Sequence, residues 1–328
     1  MLIYIMGRGH SGSTILDIIL GNSAQLESVG ELMAGLSREG EDEICACGEP
    51  MQDCAHWREV RLAFAQLARQ RPGVLQDWRG TTQALVAHAH IRNLPRTLVA
   101  RADSAGLRSL ALASTAVADA IALASGKPHV VDSSKEPTRA LMLLRFCPEA
   151  RVIHLVRDPR RVVASHYWRF KQRGGYFRFL RHSYHAPHLL VPVMLLDAVA
   201  WTVGGLIAEL ARRFAPDRVL KLRYEDLCAS PAAELGRIGK TFDLALDDVI
   251  AKVERLEPLA IGHNVGGNQI RTEGAVVFSP GKGKEHAVPR WLAFLTLVCC
   301  WPLMLAHGYS LRSPRLPPAA SVAATRQL

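Results

Sequence analysis

The first twenty residues constrain this chain most. An apolar run, Leu2-Ile3-Tyr4-Ile5-Met6, stops at Gly7 and is followed by Arg8-Gly9-His10-Ser11-Gly12-Ser13-Thr14. Beyond it, Ile15, Leu16, Ile18, Ile19 and Leu20 recur at helical spacing. That order predicts a strand, a glycine-rich turn and a helix. Backbone N–H groups at such a turn converge and the helix dipole favours negative charge there, so the loop is suited to cradle a phosphate.

The same grammar recurs. Val130-Val131 leads to Asp132-Ser133-Ser134-Lys135 and then to a helical run, Ala140 to Phe146. Arg151 to Val156 leads to Arg157-Asp158-Pro159, whose proline suits a first helical turn. Arg218 to Leu222 is a fourth strand candidate. Strands alternating with helices predict an α/β fold with a mostly parallel sheet flanked by helices, and ligands gathering at the carboxyl ends of its strands. Residues 58–126 are rich in Ala, Leu and Arg, carry no motif, and read as a helical insertion. With 328 residues, 49% of them hydrophobic, the chain can bury a large core; one domain over 1–311 is expected. The stretch 312–328 is mostly proline and small residues and reads as a disordered tail.

A formal charge of +10 suits an anionic ligand, a nucleic acid or an acidic membrane surface. Nucleic acid is disfavoured because no recognition motif accompanies the charge. The apolar start is five residues long, too short for a secretory leader, so a cytoplasmic location is expected. Seven cysteines, an odd number, read mostly as reduced thiols. Trp291 to Ala306 is uncharged over 16 residues, below the roughly 20 that span a bilayer, and reads as a buried or membrane-surface helix with peripheral membrane contact. Leu189 to Ile207, interrupted by Asp197, reads as a core helix.

Against the nucleotide-triphosphatase pattern GxxxxGK[ST], Gly7, Gly12 and Thr14 fit, but Ser13 stands where the phosphate-binding lysine belongs. A small-molecule kinase is therefore the weaker reading. The loop instead resembles the 5′-phosphosulfate loop of the sulfotransferases that use 3′-phosphoadenosine-5′-phosphosulfate (PAPS), with His10-Ser11-Gly12-Ser13-Thr14 matching the family's basic residue followed by Ser-Gly-Ser/Thr-Ser/Thr. The family usually has lysine or arginine where His10 stands. His10 would then donate as a neutral imidazole beside the helix N-terminus, while Arg8 supplies permanent charge. A catalytically dead nucleotide-binding module is the alternative that this departure keeps open.

Arg157 and Ser165 match the spacing of the family's 3′-phosphate motif, an arginine at a strand end and a serine eight residues on. An arginine fork and a hydroxyl two helical turns apart can hold one phosphate, with Arg160 and Arg161 close by. Arg223-Tyr224-Glu225-Asp226-Leu227 resembles a strand-end segment whose tyrosine lies near the nucleotide; Tyr224 could equally be a core aromatic. The resemblance extends to Asn264–Arg271 and to Asp132–Lys135, which makes Arg271 and Lys135 candidate ligands of the polyanion. It implies a single P-loop-type three-layer domain with Arg8, Gly9, His10, Ser11, Gly12, Ser13, Thr14, Lys135, Arg157, Ser165, Tyr224 and Arg271 at the co-substrate, and no required metal.

Such a transfer needs a base for the acceptor hydroxyl and cations for the leaving phosphate. Glu31, in Val29-Gly30-Glu31-Leu32, matches the place of an active-site glutamate in the family's protein-tyrosine members; a helix or loop cap is the competing role. Arg8 and His10 would act on the leaving side. Cys45, Cys47, Cys54 and His56 could bind zinc, but the segment reads as a folded lid with thiols or a disulfide. Trp168 to His188 interleaves basic and aromatic residues and reads as an acceptor-side segment. The acceptor is a hydroxyl-bearing molecule, with carbohydrate or glycolipid the preferred class.

Overall fold

The computed structural model describes all residues except 40–42, 71–74, 102, 175, 180–181, 280–287 and 313–328; for 176–179 and 182–184 the backbone alone is described. The tail expected to be disordered thus lies outside the described residues, as do residues 175, 180 and 181 of the segment expected on the acceptor side. The chain forms two compact units, Met1–Arg157 with Val203–Glu285, and Asp158–Thr202 with His286–Leu328.

The first unit opens with β1 (Leu2–Gly7), α1 (Ser13–Gly21), β2 (Leu26–Ser28) and α2 (Leu32–Leu36). The expected insertion follows as α3 (Ala55–Gln70), α4 (Trp78–Ala89), α5 (Leu94–Val99) and α6 (Ala105–Ser125). Next come β3 (His129–Lys135), α7 (Pro137–Phe146) and β4 (Arg151–Val156). The second unit holds α8 (Pro159–Gln172), the hairpin β5 (Tyr176–Phe179) and β6 (His182–His185), and the start of α9 (Leu190–Phe214). Back in the first unit are β7 (Val219–Arg223), α10 (Tyr224–Ala229), α11 (Pro231–Phe242), α12 (Asp247–Glu254), and the hairpin β8 (Pro258–Ala260) and β9 (Ala275–Val277). The second unit ends with α13 (Arg290–Ala306).

Five strands pair in the order β2-β3-β1-β4-β7, all parallel, so the expected α/β architecture stands. Side chains alternate across β1. Ile3 and Ile5 join Leu16 and Ile19 of α1 and Leu235 and Ile238 of α11 in one core. Tyr4 and Met6 join Trp57 of α3, Val117 of α6 and Leu143 of α7 in the other. Helices therefore cover both faces, and each fully buried Leu or Ile adds about 1.5–3 kcal/mol.

Two local features depart from the sequence reading. The three-residue β2 was not anticipated. Asp132-Ser133-Ser134, expected in a turn, continues β3 and is buried. The strand tolerates this because the Asp132 carboxylate accepts from the Ser134 amide at 2.9 Å and from Arg139 Nε of α7 at 3.3 Å. Asp132 and Ser134 are thereby satisfied within the strand end, while the buried Ser133 hydroxyl has no hydrogen-bond partner among the described residues.

In the second unit, Asp158 caps α8 by accepting from the Arg160 amide at 2.9 Å, and α13 packs on α8. Thr202 Oγ1 of α9 donates to the Cys299 carbonyl of α13 at 3.0 Å. The core-helix reading of 189–207 holds for one face only: Met194, Asp197, Ala198 and Trp201 are buried, whereas Val191, Leu195, Leu196 and Val199 are exposed. On α13, Leu292, Thr296, Cys300 and Leu303 are buried while Trp291, Phe294, Val298, Trp301 and Leu305 are exposed. Among the described residues, Ala105–Ser125 and Pro187–Phe214 are long and apolar enough to cross a membrane by length and composition.

Candidate active site

Because the five strands are parallel, their carboxyl ends form one rim, and that rim collects the residues singled out from the sequence. Glu31 follows β2, Lys135 ends β3, residues 8–12 follow β1, Arg157 follows β4, and Tyr224 follows β7. Strand register makes the neighbours explicit: Met6 pairs with Lys135, Gly7 with Leu155, and Val156 with Arg223. Adjacent strands lie about 4.8 Å apart, so side chains from neighbouring ends can meet one ligand.

The loop after β1 turns through Ser11, whose amide donates to the Arg8 carbonyl at 3.2 Å. Gly12 caps α1 with φ 91° and offers no side-chain cap, so the first-turn amides of α1 keep their need for an acceptor. A Cβ at Gly12 would stand 2.3 Å from the Tyr224 ring, which fixes glycine there twice over, by backbone angle and by contact. His10, with φ 66°, and Lys135, with φ 79°, also hold left-handed conformations, which cost side-chain-bearing residues energy and cluster at ligand sites. The Ser11 hydroxyl is buried without a hydrogen-bond partner among the described residues. An orphan hydroxyl beside uncapped amides fits a phosphate oxygen, which accepts both kinds of donor.

Arg157 Nη1 donates to the His10 carbonyl at 2.8 Å, and the guanidinium lies 4.7 Å from the centre of the Tyr224 ring. Arg157, the loop and Tyr224 therefore support one another. Burial pushes the Tyr224 hydroxyl up to about 12, with Cys228 adding to the shift and Arg157 opposing it.

At the other end of the rim, Lys135 Nζ contacts the Glu31 carboxylate, with both side chains partly exposed. Glu31 occupies the N-cap position of α2 but makes no side-chain cap, so its carboxylate is turned to Lys135 rather than to the helix amides. Its amide donates to the Val265 carbonyl at 2.8 Å. Gly266 and Gly267 back it closely: a Cβ on Gly266 would fall 2.6 Å from the Glu31 carbonyl and one on Gly267 3.0 Å from Oε1.

Beneath this pair lies a buried polar layer that the sequence reading missed. Asp17 of α1 accepts from Ser28 Oγ and, at 2.9 Å, from Asn264 Nδ2. Burial pushes Asp17 up to about 7 against the Ser28 hydrogen bond. Glu136, bonded by the Tyr4 hydroxyl at 3.2 Å, is pushed to about 7 by burial as well. Asp132 pairs with Arg139 at 3.3 Å, both almost wholly buried. An aspartate inside the apolar run Ile15 to Leu20 was the available signal, because a charge there must be satisfied by something the helix faces.

Other candidates are placed elsewhere. Arg160 is engaged by Asp158 at 2.7 Å and by the Ser310 and Arg312 carbonyls, so it serves the second unit's packing rather than a phosphate. Ser165 lies in that unit on α8. Arg271 pairs with Glu43 at 3.1 Å and contacts the Ile44 carbonyl, tying the segment after β8 to the loop after α2. The sulfurs of Cys45, Cys47 and Cys54 gather around His263 rather than His56, which stacks on the His263 ring at 4.7 Å between centroids.

The sulfotransferase family model matches residues 3–248, about three-quarters of the chain. Among solved structures, the sulfotransferase domain of the Synechococcus PCC 7002 olefin synthase is 17% identical, covering 96% of this chain and 95% of that one, with a TM-score of 0.47. The sulfotransferase domain from the curacin biosynthetic pathway is 17% identical, covering 94% and 98%, with a TM-score of 0.47. The sulfotransferase STF1 of Mycobacterium tuberculosis H37Rv is 18% identical, covering 76% and 69%, with a TM-score of 0.46. Among curated proteins, no significant match was found. The match over residues 3–248, which takes in the β1 loop, Glu31, Lys135, Arg157 and Tyr224, places the chain in the sulfotransferase family.

Proposed function

We propose that this protein transfers a sulfuryl group from PAPS to the hydroxyl of an acceptor, with Glu31 as the general base. The observation that carries the reading is the single rim on which Glu31, Lys135, the loop Arg8–Gly12, Arg157 and Tyr224 stand at five successive strand ends. The α1 amides and Ser11, Ser13 and Thr14 would hold the 5′-phosphosulfate, and Arg8, Gly9 and His10 would complete the loop around it. Arg157, stacked against Tyr224, would take the 3′-phosphate through its fork.

In the transfer, the acceptor oxygen forms a bond to sulfur as the bond from sulfur to the 5′-phosphate oxygen breaks. The electron pair of that bond leaves with the phosphate, and the acceptor proton passes to the Glu31 carboxylate. Loop amides and the cations of the rim would stabilise the charge that develops there, as positioning and electrostatics do in phosphoryl transfer. Arg271, committed to Glu43, would act by holding the backing of Glu31 rather than by touching the co-substrate.

The test is incubation of the purified protein with PAPS and a panel of hydroxyl acceptors spanning sugars, glycolipids and phenols, read by mass spectrometry of the products. Sulfated product from the wild type and none from Glu31→Gln supports the assignment. Sulfation undiminished in Glu31→Gln would remove the residue from the role of base.

A further inference from the structure

We propose that Cys45, Cys47, Cys54 and His263 form a structural zinc site, which pins the loop after α2 to the segment that backs Glu31. It stands apart from the transfer reading and holds whichever group the rim transfers.

The donor atoms are already arranged for a tetrahedral ion. All four lie within 4.8 Å of one another. Zinc–sulfur bonds of about 2.3 Å and zinc–nitrogen bonds of about 2.05 Å at the tetrahedral angle put sulfur pairs about 3.8 Å apart and sulfur–nitrogen pairs about 3.6 Å apart. Here Cys47 Sγ and Cys54 Sγ are 3.6 Å apart, Cys54 Sγ and His263 Nδ1 3.4 Å, and Cys45 Sγ and His263 Nδ1 3.7 Å. Each cysteine is a free thiol, and the Cys47–Cys54 separation is nonbonded rather than that of a disulfide.

The surrounding backbone is shaped around these donors. Cys45 and Gly48 close a tight turn, with the Gly48 amide donating to the Cys45 carbonyl at 2.9 Å. Gly48 takes φ 96° in open space, so the turn and not packing demands glycine. The Ala46 amide donates to the Asn264 carbonyl at 2.9 Å, and Trp57 Nε1 to the His263 carbonyl at 3.0 Å. The ligands are thereby oriented from outside the donor set, as metal sites require. Cys45 and Cys54 are buried, while Cys47 is exposed and gives the ion an entry.

Three thiolates and an imidazole, with no open position, suit a structural zinc rather than a catalytic one or a hard oxygen-seeking cation. On binding, each thiol gives its proton to solvent and the ion takes four protein donors. The site's reach is short. His263 lies two residues before Val265, whose carbonyl receives the Glu31 amide at 2.8 Å, and Asn264 holds Asp17. The ion would fix the floor of the Glu31–Lys135 pair without touching the phosphate loop.

The experiment is elemental analysis of the full chain purified without a metal-affinity step, with zinc release followed as a mercurial reagent titrates the thiols. About one zinc per chain is expected, released as three thiols are blocked. Cys54→Ser and His263→Ala should lower zinc content at least tenfold, while His56→Phe, which keeps the stacked ring but removes its nitrogens, should keep it. Wild-type protein without stoichiometric zinc would overturn the proposal, as would a Cys47–Cys54 disulfide or full zinc in His263→Ala. Should the variants fail to fold, zinc content and thiol-coupled release in the wild type decide the matter alone.

Discussion

Lys135 Nζ meets the Glu31 carboxylate across 104 residues of sequence, joining the end of β3 to the turn after β2. The contact brings the candidate base and a candidate phosphate ligand into one pair. Glu31→Gln removes the proton acceptor and should lower turnover by about 10²–10⁴-fold while leaving affinity for 3′-phosphoadenosine-5′-phosphate (PAP) near wild type. Lys135→Met should lower both. Steady-state kinetics beside PAP titration separates the two; a Glu31→Gln enzyme that loses PAP binding as fully as turnover would make the residue structural.

The close approach at Gly12 predicts a sharp effect from one methyl group. Gly12→Ala forces a Cβ to 2.3 Å from the Tyr224 ring at φ 91°, so it should destabilise the protein by about 1–3 kcal/mol and abolish PAP binding. Thermal unfolding and calorimetry read the two parts. Tyr224→Ala in the same chain should recover some stability, because the clash is relieved while the backbone strain remains.

The buried carboxyls give a pH signature. Burial holds Asp17 at about 7, above the roughly 3.9 of an unfolded aspartate, with Asp132 adding to the shift and Lys135 opposing it. The native chain therefore keeps a proton that the unfolded chain has released. Stability from this group is present below about pH 4 and is lost as pH rises to about 7, by up to about 1.4 kcal/mol per unit. Glu136 acts in the same sense. Half-buried His56, lowered to about 4 by desolvation, acts in the opposite sense and is unchanged by the substitution, so Asp17→Asn should shift the slope of unfolding free energy between pH 5 and 7 toward less loss with rising pH. Denaturant unfolding at several pH values measures it, and an unchanged slope would show that Asp17 titrates normally.

Arg139 and Asp132 form a charge pair with almost no solvent contact. Removing one partner leaves the other charge buried, so Arg139→Leu should destabilise by about 3–5 kcal/mol. A loss under about 1 kcal/mol would mean that water reaches Asp132 readily.

Much of the rim was legible because it depends on local order. The runs Leu2 to Met6 and Arg151 to Val156 alternate or cluster as strands do, and the residues after them must stand at strand ends. The β1 loop declared itself by its glycines and its helix. What sequence could not show was pairing at a distance. His263 reaches Cys54 across 209 residues, and His56, two positions from Cys54, looked the nearer donor. Asp132 and Ser134 carried turn-like chemistry into a strand because the carboxylate could satisfy its neighbours from within. The three residues of β2 are too few for any period to emerge. The apolar helix α9 gave no sign of which face would be covered, since apolar residues occupy both: Met194, Ala198, Trp201 and Ile207 are buried, while Val191, Leu195, Leu196 and Val199 are exposed.

The central claim is that the rim binds the 3′,5′-bisphosphate of PAPS. Calorimetric titration of the purified protein with PAP, without magnesium, tests it most directly, beside Arg157→Ala and with ATP as the control ligand. Tight PAP binding, weakened about 10–100-fold in Arg157→Ala and not matched by ATP, is the expected result. Preference for ATP over PAP, either in that titration or when it is repeated with magnesium, would contradict the account.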